Sequence, residues 1–379
     1  RWGFSDATEI FVFCSGMASA IAFGATYDRV GWLLGSARVA FRVWQVYWAH
    51  VGLFFATLAM TVYLTDLDIT GRNYWGQLNL WMMFVESDKW DNPDILLSFM
   101  TLRYVPNYFD ILPMYMVVLC LMPVIMWLSR YSKWFIAGFV GVIWLMAQDA
   151  FMQSINLGAY HLEFPAEPWT DRQWFFNPFG WQLIFFTGFA FMRGWLPAPP
   201  VRPWLIGLAL AVVIVSVVLS NVGFRLFQTD LVKGIYVGMT GCSETGFGAC
   251  NPVFDWREAN RGWFSKSDHG PLHYLHFLSL AYLAWTAAGE GGHRLIALGR
   301  GLRAKIWDEV VLTIMKVGQQ SLAVFVFSMV LARVNGYLLD LIGRTGFTWT
   351  LINLTGCGLL VACAYGAGWF KAQPWRARR

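Results

Sequence analysis

Four polar clusters interrupt an otherwise apolar chain, and their residue types are those of acid–base chemistry. The first is Ser5, Asp6 and Glu9, which runs directly into an apolar stretch. Asp6 followed three residues later by Glu9 reads as a helix N-cap with its capping-box partner. Both carboxylates also suit the positive end of a helix dipole. At the mouth of a membrane helix, however, such a pair is costly and marks a polar site. The second cluster holds Arg103, Tyr104, Asn107 and Asp110, where Arg103 and Asp110 are either an ion pair that pins a loop or part of a site. The third is Asn177 with Gln182. The fourth is HGPLHYLH, in which His273 and His276 share a helix face. His276 lies deepest in its apolar stretch and is the better general-base or hydrogen-bonding candidate. No Cys or carboxylate stands at ligand spacing beside these histidines, so no metal is expected. Arg333 is a rare cation inside an apolar run; it needs a polar cavity or a partner, and Asp340 is the expected partner.

The elements that must position these groups are membrane helices. Of 379 residues, 57% are hydrophobic and only 13% are Asp, Glu, Lys or Arg, about half the charged share of a soluble domain. Apolar runs near twenty residues recur, with a mean hydropathy of +0.47. Alternating strands of a transmembrane barrel are absent from the pattern. The expected fold is all-α: a single polytopic transmembrane bundle over residues 1–379, with about nine spans in this sequence. Gly16, Ala20 and Gly24 form a small-residue stripe that lets another helix approach the first one closely. A turn at residues 27–29 and a surface-lying stretch 31–42 are expected before a second span carrying His50, read as an interhelical hydrogen-bonder.

Orientation follows from Lys and Arg. Loops 27–42 and 289–316 and the tail 371–379 are basic, with Asp28, Glu290, Asp308 and Glu309 as their acids, whereas the opposite set of loops, which includes 65–107, 153–179 and 223–270, holds nearly all the remaining acids. The positive-inside rule places the basic set and the C-terminus in the cytoplasm. The net charge of +5 reflects those loops and is no sign of nucleic-acid binding. Cys242 and Cys250 fall in one external loop, where a disulfide is permitted; Cys14, Cys120, Cys357 and Cys363 sit in apolar runs as packing residues.

Several stretches together resemble the OpgC family of bacterial inner-membrane proteins: GFSDATEIFVFCSG, LRYVPNYFDILPMYMVVL, NPFGWQLIFFTGFAF, LHFLSLAYLAW and GQQSLAVFVFS. The resemblance covers nearly the whole chain. It implies a bundle of about ten spans and kinship with multispan sugar acyltransferases. It also implies a multi-pass inner-membrane enzyme that moves a succinyl or related acyl group onto osmoregulated periplasmic glucans. Succinyl-CoA or another acyl-CoA is the implied donor substrate, with no permanently bound cofactor. The family further implies an N-terminal helix before the GFSDA motif, bearing a His near its outer end that serves as base; this sequence starts just after that point. Carried onto matching positions, Asp6, Glu9, Arg103, Tyr104, Asn107, Asp110, Gln182 and His276 line the acceptor side.

The expected partners are thus the lipid bilayer, an acyl-CoA and a periplasmic glucan, with self-association left open. Cytoplasmic Arg29, Arg38, Arg42, Arg294, Arg303 and Lys305 are candidates to hold the CoA phosphates, or are simply positive-inside residues. A base, His276 or the one on the preceding helix, would deprotonate a sugar hydroxyl, with Arg103, Tyr104 or Gln182 stabilising the oxyanion. Asn107, Asp110, Asn177 and Arg333 are candidates for substrate contact. Direct transfer and a covalent carrier on Ser5, Ser15 or Ser321 both stay open. The alternatives are a transporter or flippase of an acyl or glycan intermediate, or an accessory subunit of a membrane assembly.

Overall fold

A computed structural model describes residues 2–80, 83, 92–243, 245–296 and 301–376. Among them the chain is helical, with no β-strand. Four helical runs are long and apolar enough to cross a membrane: Ala7–Asp66, Ile111–Leu128, Ser321–Ile342 and Gly346–Arg376. Lys133–Met146, Pro178–Met192 and Pro203–Val218 are apolar but shorter. The last residues of the basic tail, 377–379, lie outside the described set.

The chain forms two compact units. The first comprises residues 1–43, 114–165 and 171–290. Its organising helix is α1 (Ala7–Ser19), which continues through a π-helical turn, Ala20–Gly24, into α2 (Ala25–Asp66). The second unit comprises residues 44–113, 166–170 and 291–379. The chain continues through α3 (Asn92–Met100), α4 (Ile111–Leu128), α5 (Lys133–Met146), α6 (Asp149–Ser154), α7 (Pro178–Met192) and α8 (Pro203–Val218). Then come α9 (Asn221–Leu226), α10 (Asp230–Thr240), α11 (Pro252–Ala259), α12 (Pro271–Ala288), α13 (Leu302–Gln319), α14 (Ser321–Ile342) and α15 (Gly346–Ala372).

Within the first unit α1 packs along α7, α5 also lies on α7, and α12 lies on α8. The small-residue stripe explains the first contact. A Cβ on Gly16 would fall 2.0 Å from the Phe185 carbonyl oxygen, and one on Gly188 would fall 2.3 Å from that of Phe13. The two backbones therefore touch, and Ala20 is buried just beyond. Phe185 O belongs to backbone, which cannot swing aside. Gly16→Ala should push the helices apart and lower stability by about 1–3 kcal/mol, read as a lower thermal midpoint in detergent. In the second unit α15 packs on α13 and α14.

Three expectations about the connections change. The first break falls at Gly31, whose backbone (φ 81, ψ 177) leaves helical geometry, and the helix then runs on to Asp66. Residues 31–42 are thus not a separate surface stretch, because apart from that glycine nothing there resists helix. The basic stretch 289–316 contains most of α13, and the polar stretch 223–270 contains α10 and α11. Their polar faces hid helical periodicity that a search for apolar runs overlooks.

Cys242 and Cys250 form a disulfide. Cys14, Cys120 and Cys357 are surface-facing rather than interior packing residues; a thiol suits lipid as well as it suits a core. His50 is buried and makes no hydrogen bond, contrary to its expected role. It stacks on Phe99 at 5.3 Å and meets Phe109 edge-on at 6.4 Å.

Candidate functional site

Asp6 caps α1 as the sequence pattern requires. Its Oδ1 accepts the Thr8 N–H at 3.0 Å, and Glu9 Oε2 accepts the Asp6 N–H at 2.8 Å. Glu9 is fully buried, and its other oxygen accepts from His273 Nδ1 on α12 at 2.9 Å. One turn along α12, His276 receives the hook that precedes α1. The Ser5 N–H donates to His276 Nδ1 at 3.1 Å, and Ser5 Oγ lies 2.6 Å from the same nitrogen. An amide can only donate, so Nδ1 holds a lone pair and the Ser5 hydroxyl must donate as well.

That assignment leaves the proton on His276 Nε2, which is buried without a hydrogen-bond partner. Gly3 covers it: a Cβ there would sit 2.5 Å from Nε2, and its φ of +148 is one a side chain resists. Phe4 stacks on Phe264 at 5.7 Å and also meets the rings of His273 and His276. Lys266 pairs with Asp6.

Burial alone would raise the Asp6 carboxyl, but Lys266 and the Thr8 amide outweigh it and hold it well below the usual carboxylate range. A depressed folded-state value contributes stability above the ordinary aspartate value and loses it as pH falls through the folded one. Asparagine keeps the cap but not the charge. The stability gap between the native chain and Asp6→Asn should therefore be full at neutral pH. It should shrink as pH drops below about 4, measured by melts across an acid series.

The loop before α12 is pinned from outside. Gln148 Nε2 donates to the Asp268 carbonyl at 2.7 Å, and Trp144 Nε1 donates to that of His269 at 3.1 Å. Burial pushes the Asp268 carboxyl up, against hydrogen bonds from Asn177 and Ser265 that favour its charge. His269 adopts a left-handed backbone (φ 51), and its ring is buried against Trp181 with neither nitrogen hydrogen-bonded. Burial, with His273 and Lys266 nearby, keeps its imidazole neutral. Such an outlier marks a place where the surroundings overrule local preference.

The structure thus joins Asp6, Glu9 and His276 in one cluster and adds Ser5, Lys266 and His273. Other candidates have structural duties. Asn177 caps α7, accepting from the Phe179 N–H at 3.1 Å and donating to the Leu162 carbonyl at 2.8 Å. Gln182 is buried and donates to the Val140 carbonyl at 2.8 Å, leaving its Oε1 without a partner.

In the second unit Tyr104 is buried and donates its hydroxyl to the Asn79 carbonyl at 2.7 Å. Arg103 and Asn107 are exposed, and Asp110 is buried at the head of α4. The expected Arg333–Asp340 pair does not form. Asp340 takes Arg72 at 3.2 Å, Tyr74 at 3.1 Å and Arg344 at 2.8 Å. Arg344, one turn away on the same face, reaches it more easily than Arg333 does from two turns. Arg333 instead stacks on the Tyr108 ring, 3.9 Å from its centroid.

Among the cationic candidates, Arg29, Arg38, Arg294, Arg303 and Lys305 are exposed and Arg42 is half-buried. Lys305 also lines an open groove along α13 with Glu309 and Thr313. Among the described residues no three His, Cys, Asp or Glu side chains gather as they would around a metal ion.

The sequence expectations placed His269 in the fourth polar cluster but missed Lys266 as part of this site. The signal for Lys266 was present: it lies three residues before His269 in the polar stretch 223–270. No curated protein and no solved structure matches the chain. The model of the family described as OpgC protein matches residues 1–372, which span both units and the whole cluster. The chain therefore belongs to the OpgC family, whose role is that of a membrane acyltransferase-like protein.

Proposed function

We propose that this protein transfers a succinyl or related acyl group from cytoplasmic acyl-CoA to a hydroxyl of a periplasmic glucan. The observation that carries this reading is the buried His276, whose Nδ1 lone pair faces a hydroxyl at 2.6 Å beside the Glu9–His273 pair. A neutral imidazole with its lone pair on an alcohol is the arrangement of a general base for acyl transfer. A hydroxyl activated there would attack an acyl carbonyl, and the proton would pass to the departing group.

In this reading the protein lies in the bacterial inner membrane with its C-terminus in the cytoplasm and the cluster near the outer face. The disulfide in the stretch 223–270 fits an oxidising compartment there. Nine spans result if α5, α7, α8 and α12 cross beside α1, α2, α4, α14 and α15. At 14 to 18 residues, those four reach about 21–27 Å. That falls short of a hydrocarbon core of about 30 Å, so flanking turns and local thinning must complete each crossing.

The test is transfer of label from radioactive succinyl-CoA to periplasmic glucan by purified protein in detergent or vesicles. Label on the glucan supports the reading. Movement of labelled intermediate across vesicles with no new ester on the glucan would turn the assignment to a transporter.

A further inference from the structure

We infer that Ser5 carries the acyl group as an ester between two half-reactions, with His276 as its base; this rests on the acyl-transfer reading above. Three serines were open as carriers. Neither Ser15 nor Ser321 hydrogen-bonds a histidine, whereas Ser5 Oγ lies 2.6 Å from His276 Nδ1. The Ser5 amide donates to that same nitrogen and so keeps it unprotonated, an acceptor for the hydroxyl as well. Both side chains are nearly excluded from solvent. The hook that holds Ser5 is itself held, by Phe4 on Phe264, by Gly3 over His276 Nε2 and by Asp6 on Lys266. A hook needed only to start α1 is already provided for by the Asp6–Glu9 capping box, so the Ser5–His276 contact is not required for capping.

In the first half-reaction the Ser5 hydroxyl proton passes to His276 Nδ1 while Oγ bonds the thioester carbonyl carbon. The C–S bond breaks, and the CoA thiolate leaves with the proton from Nδ1. In the second, a glucan hydroxyl gives its proton to Nδ1 and its oxygen attacks the ester carbonyl. The C–Oγ bond breaks, and Ser5 Oγ recovers the proton. The balance needs only the two substrates. The nucleophile and base sit within hydrogen-bond reach, as covalent catalysis demands.

The experiment is a rapid-quench incubation of the full chain with labelled succinyl-CoA, first without and then with glucan. Mass analysis of the peptide around Ser5 follows each quench. The expected result is an ester on Ser5 that forms without glucan and disappears as the glucan is labelled. Ser5→Ala should lose both the ester and at least about 10³-fold of transfer. Ser5→Cys keeps a nucleophile at the same place and should trap a thioester that hydroxylamine removes, which separates chemistry from folding. Glucan labelled by the native chain with no ester on Ser5 at any time would overturn the inference and leave the acyltransferase reading standing. No transfer by the native chain from any acyl-CoA would overturn both.

Discussion

His276→Asn should fold as the native chain does and transfer acyl groups about 10³-fold more slowly. Asparagine is the informative replacement because its Oδ1 can stand where Nδ1 stands and accept the Ser5 N–H, so the hook keeps an anchor. What it cannot do is take a proton from an alcohol. His276→Ala should be equally inactive and less stable, since it leaves the buried Ser5 amide without an acceptor at a cost of about 1–3 kcal/mol. The comparison is made by initial rates of glucan labelling beside thermal melts of the same preparations. Transfer within tenfold of native by the Asn variant would remove His276 from the chemistry and leave it a fastener for the N-terminal hook.

Local rules were legible in the sequence where a feature is completed within a few residues. The Asp6–Glu9 capping box is one, because its donors and acceptors lie within one turn. The Gly16 stripe is another, because a helix without side chains on one face advertises a close neighbour even when the neighbour is unnamed. The shared face of His273 and His276 was visible for the same reason. What sequence spacing could not supply was the partner of each group. His276 meets Ser5 across 271 positions and His273 meets Glu9 across 264. Packing of α12 beside α1 decides both, and no local rule contains it. The same gap explains Asn177, Gln182 and Tyr104. Polar residues beside apolar runs resemble site residues, yet each donates a hydrogen bond to a backbone carbonyl. The Asn79 and Leu162 carbonyls lie where the chain leaves regular helix and needs such partners, whereas the Val140 carbonyl that takes Gln182 lies within α5. Arg333 failed differently: its expected partner exists but sits closer to other donors.

Glu9 carries two duties at once, and two substitutions should pull them apart. Its Oε2 completes the cap of α1 and its Oε1 holds His273, all with no exposure to solvent. Glu9→Ala strips acceptors from two donors, the half-buried Asp6 N–H and the buried His273 ring N–H. Each orphaned donor costs about 1–3 kcal/mol, so the loss should be about 3–5 kcal/mol, similar to breaking a buried ion pair by removing one side. That variant should express poorly or melt far below the native chain. Glu9→Gln keeps the capping geometry, since glutamine serves in the box as well as glutamate. Its single amide oxygen keeps the capping bond and its NH2 then faces His273 Nδ1, which accepts once the ring carries its proton on Nε2, but the charge that opposes a proton-laden imidazole is gone. The Gln variant should therefore keep most of the stability and lose about 10²-fold of transfer. If both variants melt with the native chain, the buried pair does not hold α1 to α12, and the anchor of the first unit must be sought in the α1–α7 contact at Gly16 and Gly188. If Glu9→Gln transfers at the native rate, the carboxylate is structural only, and the imidazole of His276 performs its proton transfer without electrostatic help from the pair one turn away.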